Sequence, residues 1–206
     1  EMKHFLTGRL IPLNKVHRAT PTRLQIRPIV ALSPLVKLLE ARFAQSLHKY
    51  MDTNMIESQT GFVRNMGTHV NLTRLLNKCC EAKKVKRPMA ILFVDLKSAY
   101  NNVRLEKLFQ ILRQKEILRN TEVDFLQALY AHTAITIGKH KVFIRKGVMQ
   151  GSTISPSLFN IYLETLLIRL AELMPIEDIL AYADDIAIYV YELKVLENVI
   201  KYIKEW

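Results

Sequence analysis

The chain has 206 residues, half of them hydrophobic, with 30 Lys and Arg against 19 Asp and Glu and a net charge of +11. That length and apolar content suit one domain or one and a half with a proper core, and they exclude a disordered tail. No apolar run approaches the ~18 residues needed to span a bilayer. The two cysteines, Cys79 and Cys80, are neighbours that cannot staple distant segments, which fits an intracellular, reducing compartment, nucleus or organelle included.

The charge excess is segregated. Residues 1–90 hold 16 Lys and Arg against 5 Asp and Glu, whereas residues 91–206 hold 14 against 14. Such a division is the footprint of a polyanion-binding surface joined to an electroneutral core. A membrane surface would match the sign, but no basic amphipathic helix with an aromatic face is evident. Nucleic acid is the expected partner, with no membrane. The chain opens on Glu1 without a secretory leader, so a piece of a longer protein is expected.

In chain order, Arg9–Leu13 and Leu24–Val30 read as strands of a long hairpin whose connection, from Asn14 to Arg23, is basic and turn-rich. Ser33-Pro34 opens a helix in the favoured N-cap and N1 arrangement. Leu35, Leu38, Leu39, Phe43, Ala44 and Leu47 follow at helical spacing as its expected core stripe. A second helix is expected from about Thr68 to Ala82 and ends before Pro88. The apolar run Met89–Val94 reads as a strand buried on both faces. It ends at Asp95, a carboxylate held at the edge of the core or, alternatively, the N-cap of the next segment. Two helices (104–116 and 121–132) and two short strands around Gly138-Lys139-His140-Lys141 come next. The loop Lys146-Gly147-Val148-Met149-Gln150-Gly151-Ser152-Thr153 carries glycines that let backbone approach a ligand closely. It leads into a helix starting at Ser155-Pro156.

Ile179–Val190 is the most informative stretch. Two apolar, strand-like runs flank Asp184-Asp185, which places both aspartates at or beside a hairpin tip. Two like charges about 4 Å apart repel by ~4 kcal/mol at a surface-like dielectric. An ordinary polar turn gives no return for that, whereas a divalent cation does, because carboxylate oxygens are what Mg2+ takes. Three carboxylates, Asp95, Asp184 and Asp185, could together hold two divalent ions for an in-line displacement at phosphorus.

On these residues the chain resembles the reverse transcriptases, above all those of non-LTR retrotransposons and the related group II intron type. Phe93-Val94-Asp95-Leu96-Lys97-Ser98-Ala99-Tyr100 is similar to the family's first palm motif, Gly147-Val148-Met149-Gln150-Gly151-Ser152-Thr153-Ile154-Ser155-Pro156 to its second, and Tyr182-Ala183-Asp184-Asp185 to its metal-binding hairpin. Arg27-Pro28-Ile29 and Gln59-Thr60-Gly61-Phe62 resemble its fingers and template-side motifs.

The resemblance implies an α+β fold, the fingers and palm of a right-hand polymerase, with an antiparallel palm sheet packed on helices. It implies fingers over residues 1–90 and palm over 91–206, ending after the metal-binding hairpin, with later palm segments, thumb and endonuclease lying elsewhere. The implied function is RNA-directed DNA polymerase, using an RNA template, a DNA primer, dNTPs and two Mg2+ ions, with Mn2+ as an alternative. Asp95 and Asp184 would ligate both ions and Asp185 would contribute less. Lys15 and Arg27 would hold the triphosphate, Leu96, Tyr100, Gln150 and Gly151 would line the nucleotide site, and Gln59, Gly61 and Phe62 would face the template. Tyr100 would act as a steric gate against a ribose 2′-OH. Ser152 stands where the family often has an acidic residue, and Tyr100 and Tyr182 where non-LTR elements commonly have Phe. An RNA-dependent RNA polymerase and a non-catalytic RNA-binding palm scaffold are the alternatives, and the piece alone lacks a thumb to clamp its primer.

Overall fold

In chain order the elements are β1 (Thr7–Asn14), β2 (Ile26–Leu32), α1 (Pro34–Thr53), α2 (Thr68–Lys84), β3 (Ala90–Asp95), α3 (Ala99–Asn102), α4 (Leu105–Gln114), α5 (Asn120–His132), β4 (Ala134–Ile137), β5 (His140–Phe143), α6 (Ser155–Ala171), β6 (Ile179–Tyr182), β7 (Asp185–Val190) and α7 (Leu193–Glu205). The computed structural model describes residues 6–14, 20, 22 and 25–206. Most of the basic β1–β2 connection, Lys15 included, lies outside the described residues. The chain divides into two compact units, each made of two chain segments: Glu1–Leu47 with Tyr100–Leu158, and His48–Ala99 with Phe159–Trp206.

The first unit is built on a four-stranded sheet in the order β2-β1-β4-β5. β1 and β2 pair antiparallel from Gly8↔Leu32 to Asn14↔Ile26, and β1 takes β4 in parallel on its other side, from Thr7↔Ala134 to Arg9↔Thr136. The turn into β5 is Gly138-Lys139, closed by Ile137↔His140, with Gly138 at φ +59. Two-residue hairpin turns need that left-handed geometry, and glycine adopts it freely. Ser33 caps α1, its Oγ accepting the N–H of Val36 at 3.3 Å. The helical core of this unit is Val36, Phe43 and Leu47 of α1, Leu108, Phe109, Ile111 and Leu112 of α4, and Val123, Leu126, Leu129 and Tyr130 of α5. The α4 set repeats at i, i+1, i+3 and i+4, the one-sided stripe of a helix lying on a core.

The second unit carries an antiparallel sheet in the order β3-β7-β6. α6 backs it with Phe159, Ile161, Leu163, Leu166, Leu167 and Leu170, all buried. A helix so evenly apolar is an interior one. α7 closes the unit through Trp206, whose ring lies 5.2 Å from that of Tyr162 and whose Nε1 donates to Thr165 Oγ1 at 3.0 Å.

The fold is α+β as expected, and its compact units are each made of two chain segments. The parallel β1–β4 pairing ties residues 134–136 to 7–9, and β3 waits for β7. Contrary to expectation, β3 is not buried on both faces. It is an edge strand, with Phe93 72 % exposed, and the central β7 is buried at Ile186 and from Ile188 to Val190. Finally, the buried stripe of α1 runs through Val36, Glu40, Phe43, Leu47 and Met51, leaving Leu38 69 % exposed. The stripe starts one residue later than the leucines indicate and takes in a carboxylate.

Candidate active site

Tyr182↔Asp185 is the closing pair of the β6–β7 hairpin, so Ala183 and Asp184 are its two turn residues. On the other side of β7, Asp95 pairs with Asp185 as the last rung of β3. Cross-strand partners share a face of the sheet. Asp95, Asp185 and Tyr182 therefore lie together on one face, at the end of a groove of about 430 Å³ lined by Phe93, Leu180, Ala187 and the α2 residues Asn71, Leu72 and Leu75. Directly opposed like charges destabilise a sheet, so this pair does not contribute to folding. The donor set, carboxylates without His or Cys, suits a hard cation such as Mg2+. Among the described residues, no three His, Cys, Asp or Glu side chains are assembled closely enough to hold an ion. The backbone register thus gives the placement of the carboxylates without a ligation geometry.

Ala183 has φ +53, a left-handed conformation that costs an L-residue roughly 1–2 kcal/mol. Gln59 grips it at both ends: Oε1 accepts the Ala183 N–H at 2.9 Å, and Nε2 donates to the Ala183 carbonyl at 3.2 Å. The same Oε1 takes the Gly61 N–H at 2.8 Å. Gly61 is required by proximity, since a Cβ there would meet Ala183 N at 2.3 Å. Along the free edge of β6, Ala181 N–H donates to Ser58 O at 2.8 Å, and Ala181 O accepts from Thr60 N–H at 2.9 Å and Asn71 Nδ2 at 3.0 Å. From α6, Asn160 Nδ2 donates to Gly61 O at 2.6 Å and Glu164 Oε1 accepts the Ile56 N–H at 3.1 Å. Four residues apart, these two project from one helix face.

In the first unit, the loop of Gly147 to Thr153 is docked on three sides. Val148 N–H donates to Tyr100 O at 2.9 Å, Val30 N–H to Gln150 O at 2.6 Å, and Thr153 N–H and Oγ1 both to Glu40 Oε2 at 3.1 Å. Gly151 sits at φ +114 with its missing Cβ 2.3 Å from Val30 O. The loop borders a cavity of about 290 Å³ lined also by Pro28, Val30, Asn101, Val142, Arg145 and Lys146. Lys146 Nζ donates to Asn102 Oδ1 at 2.9 Å.

Residues 17–206 match the family model for reverse transcriptase (RNA-dependent DNA polymerase). The chain belongs to the reverse transcriptase family. A retrovirus-related Pol polyprotein from the type-1 retrotransposable element R2 of Popillia japonica is 28 % identical over 173 residues, covering 78 % of this chain and 24 % of that protein. A probable RNA-directed DNA polymerase from transposon BS of Drosophila melanogaster is 27 % identical over 198 residues, covering 90 % and 21 %. The chain spans about a quarter of the length of these curated relatives. Among solved structures, apo telomerase from Candida tropicalis, truncated from its C-terminal domain, superposes with a TM-score of 0.67 at 15 % identity over 98 % of this chain and 47 % of that one. The fold is that of a right-hand polymerase. Reverse transcriptases generally use divalent metal ions.

The residues expected at a reverse transcriptase site fall into two sets. Asp95, Leu96, Asp184 and Asp185 belong to the second unit with Gln59, Gly61 and Phe62, while Arg27, Tyr100, Gln150 and Gly151 belong to the first. Arg27 is exposed on β2, paired with Leu13. Of the template-side segment, only Phe62 faces outward at 54 % exposure, whereas Gln59 is 3 % exposed. Sequence reading missed Glu40, Asn160 and Glu164, all buried. Their signal was a polar residue at core spacing within an otherwise apolar helix stripe.

Burial pushes the Glu40 carboxyl above its ordinary value of 4.5, against the downward pull of Ser152, Thr153 and Lys37. A carboxyl raised by folding adds stability while protonated, below its unfolded value, and loses it as pH rises through the folded value. Glu40→Gln keeps an oxygen for Thr153 without the buried charge. Its urea midpoint is expected to exceed the wild type's at about pH 7, with the gap closing towards about pH 4. A lower midpoint at neutral pH would show that the loop needs the charge itself.

Proposed function

We propose that this chain forms the fingers and most of the palm of an RNA-directed DNA polymerase, which extends a DNA primer along an RNA template with dNTPs. The observation that carries it is the Asp95↔Asp185 register beside the Asp184 turn, in a chain of the reverse transcriptase family. In this reading residues 1–90 are the fingers and 91–206 the palm, Gln150 and Asp184 included. Asp95 and Asp184 are the ligands of both catalytic ions, with Asp185 the lesser contributor. Two bound Mg2+ ions, or Mn2+, would supply charge stabilisation to the attacking and leaving oxygens.

The chain's own residues do the rest. Arg27 and Lys15 hold the triphosphate, Arg27 as a planar fork suited to phosphate oxygens. Leu96, Tyr100, Gln150 and Gly151 line the nucleotide site, and the exposed ring of Phe62 meets the template. Exposed Arg145 and Lys146, beside the Gln150 loop, add positive charge for a nucleic-acid backbone. Work inside a reducing compartment agrees with two free cysteines at 79 and 80.

The deciding experiment is primer extension by the chain together with any sequence that naturally continues it. Incorporation of dNTPs that follows the RNA template and stops on chelation of Mg2+ is expected, and untemplated or metal-independent incorporation would overturn the proposal. Preference for deoxynucleotides is assigned to Tyr100. Tyr100→Ala is expected to raise ribonucleotide relative to deoxynucleotide incorporation by on the order of 10- to 100-fold, since the clash with a 2′-OH is removed. An unchanged ratio would leave sugar selection with another residue.

A further inference from the structure

Gln59 has the position of a template-side residue in the sequence, yet its side chain has no surface to offer a template. It is 3 % exposed, and both ends of its amide are taken by protein backbone. Its partner is the one residue of the aspartate hairpin in a left-handed conformation, Ala183 at φ +53, which directly precedes Asp184. An alanine held there has no local preference for the conformation, so a partner must hold it. Gln59 fills that role from both sides, accepting from the N–H and donating to the carbonyl of the same residue. Gly61 lets the segment approach, and Asn160 of α6 fixes the Gly61 carbonyl at 2.6 Å. Thr60 next door makes a buried hydrogen bond of another kind, its Oγ1 donating at 3.2 Å to Ala181 O, two residues before the turn residue.

We propose that Gln59 is a positioning residue of the aspartate turn: it locks the left-handed Ala183 backbone and thereby sets where Asp184 is presented, without touching the template. This rests on the polymerase reading for its catalytic consequence, but the lock itself does not. The segment 56–62 is therefore a brace running from α6 to the turn, buried at Gln59 and exposed at Phe62.

Two arms test it, both on the chain with any sequence that naturally continues it. Amide hydrogen exchange reads the lock directly. In Gln59→Met, which keeps volume and loses all three hydrogen bonds, exchange at Ala183 to Asp185 is expected to accelerate by about 10-fold or more while the rest of β3 and β7 stays protected. Thr60→Val, losing a buried hydrogen bond on the same strand edge, is the matched comparison and leaves the turn unchanged. Gln59→Glu retains an acceptor for the Ala183 and Gly61 N–H groups and gives an intermediate effect; it serves if the Met variant does not fold.

Primer extension reads the consequence. Gln59→Met is expected to lower kcat by about 10-fold or more and to raise the Mg2+ concentration for half-maximal rate, with template-primer affinity by fluorescence anisotropy unchanged. Unaltered exchange at the turn, or the same acceleration in Thr60→Val, overturns the lock. Weakened template-primer affinity with kcat intact overturns it in favour of a template contact. A wild-type chain that extends no primer sinks the polymerase reading alone, because the exchange arm still decides the lock.

Discussion

Asp95→Asn and Asp184→Asn are each expected to lower RNA-templated primer extension by at least about 100-fold, a loss of about 2.7 kcal/mol of transition-state stabilisation. An amide is a poorer donor to a hard cation than a carboxylate and brings no negative charge. What makes the prediction specific to this geometry is the stability that should accompany it. Asp95 faces Asp185 across the β3–β7 ladder, and opposed like charges there cost the sheet roughly 0.2–1 kcal/mol. Asp95→Asn should therefore fold at least as well as wild type in urea titrations at low ionic strength while losing activity. A variant that lost both activity and stability would assign Asp95 to the architecture. One that kept full extension would remove the carboxylates from the chemistry.

Gly151→Ala is the substitution expected to damage the first unit most. Its φ of +114 is one that L side chains rarely adopt, and the added Cβ would sit 2.3 Å from the Val30 carbonyl oxygen. That carbonyl belongs to the residue whose N–H holds Gln150 O at 2.6 Å, so neither side can yield without breaking the loop's seat on β2. Strain of this kind and the lost contact together put the cost at about 2–4 kcal/mol. Gly138→Ala provides the contrast. It too has positive φ, +59, but a Cβ there meets nothing within 4 Å, so only the conformational penalty of roughly 1–2 kcal/mol applies. Chemical denaturation of the two variants should separate them. Equal losses would mean that the loop can leave β2 cheaply.

Much of this was legible because it is local. Ser33-Pro34 announced α1, and the interrupted apolar alternation around Asp184-Asp185 announced β6, the turn and β7, all of which the structure contains. The interleaving of the two units was not legible. A parallel pairing such as Thr7↔Ala134 leaves no trace in either strand's pattern, since both simply read as apolar and alternating. β3 was misjudged for a related reason: Ile91, Leu92, Phe93 and Val94 are apolar throughout, but strand order, not composition, decided that β3 lies at an edge. Leu35 and Leu38 of α1 were misplaced because Val36 and Glu40 form an equally regular helical row, and a carboxylate argues against its own burial until its partner at Thr153 is known. The backbone partners of Gln59 are equally invisible in its motif. A side chain's polarity says that it needs partners and does not say whether they are solvent, ligand or backbone.

The interleaved strand order has a consequence for how the chain comes into being. β1 meets its parallel neighbour only when Ala134–Ile137 has been made, and β3 remains without its ladder until Asp185–Val190 follows. Such long-range pairings close large loops before they return any contact energy, which slows folding. On the ribosome, β1–β2 and β3 must wait as incomplete sheets with unpaired strand edges, and that interval is when aggregation competes. A nonsense codon between residues 100 and 158 would release a chain in which neither unit is complete. Synthesis through β7 is the point at which the aspartate pair and the sheet that carries it come into existence together.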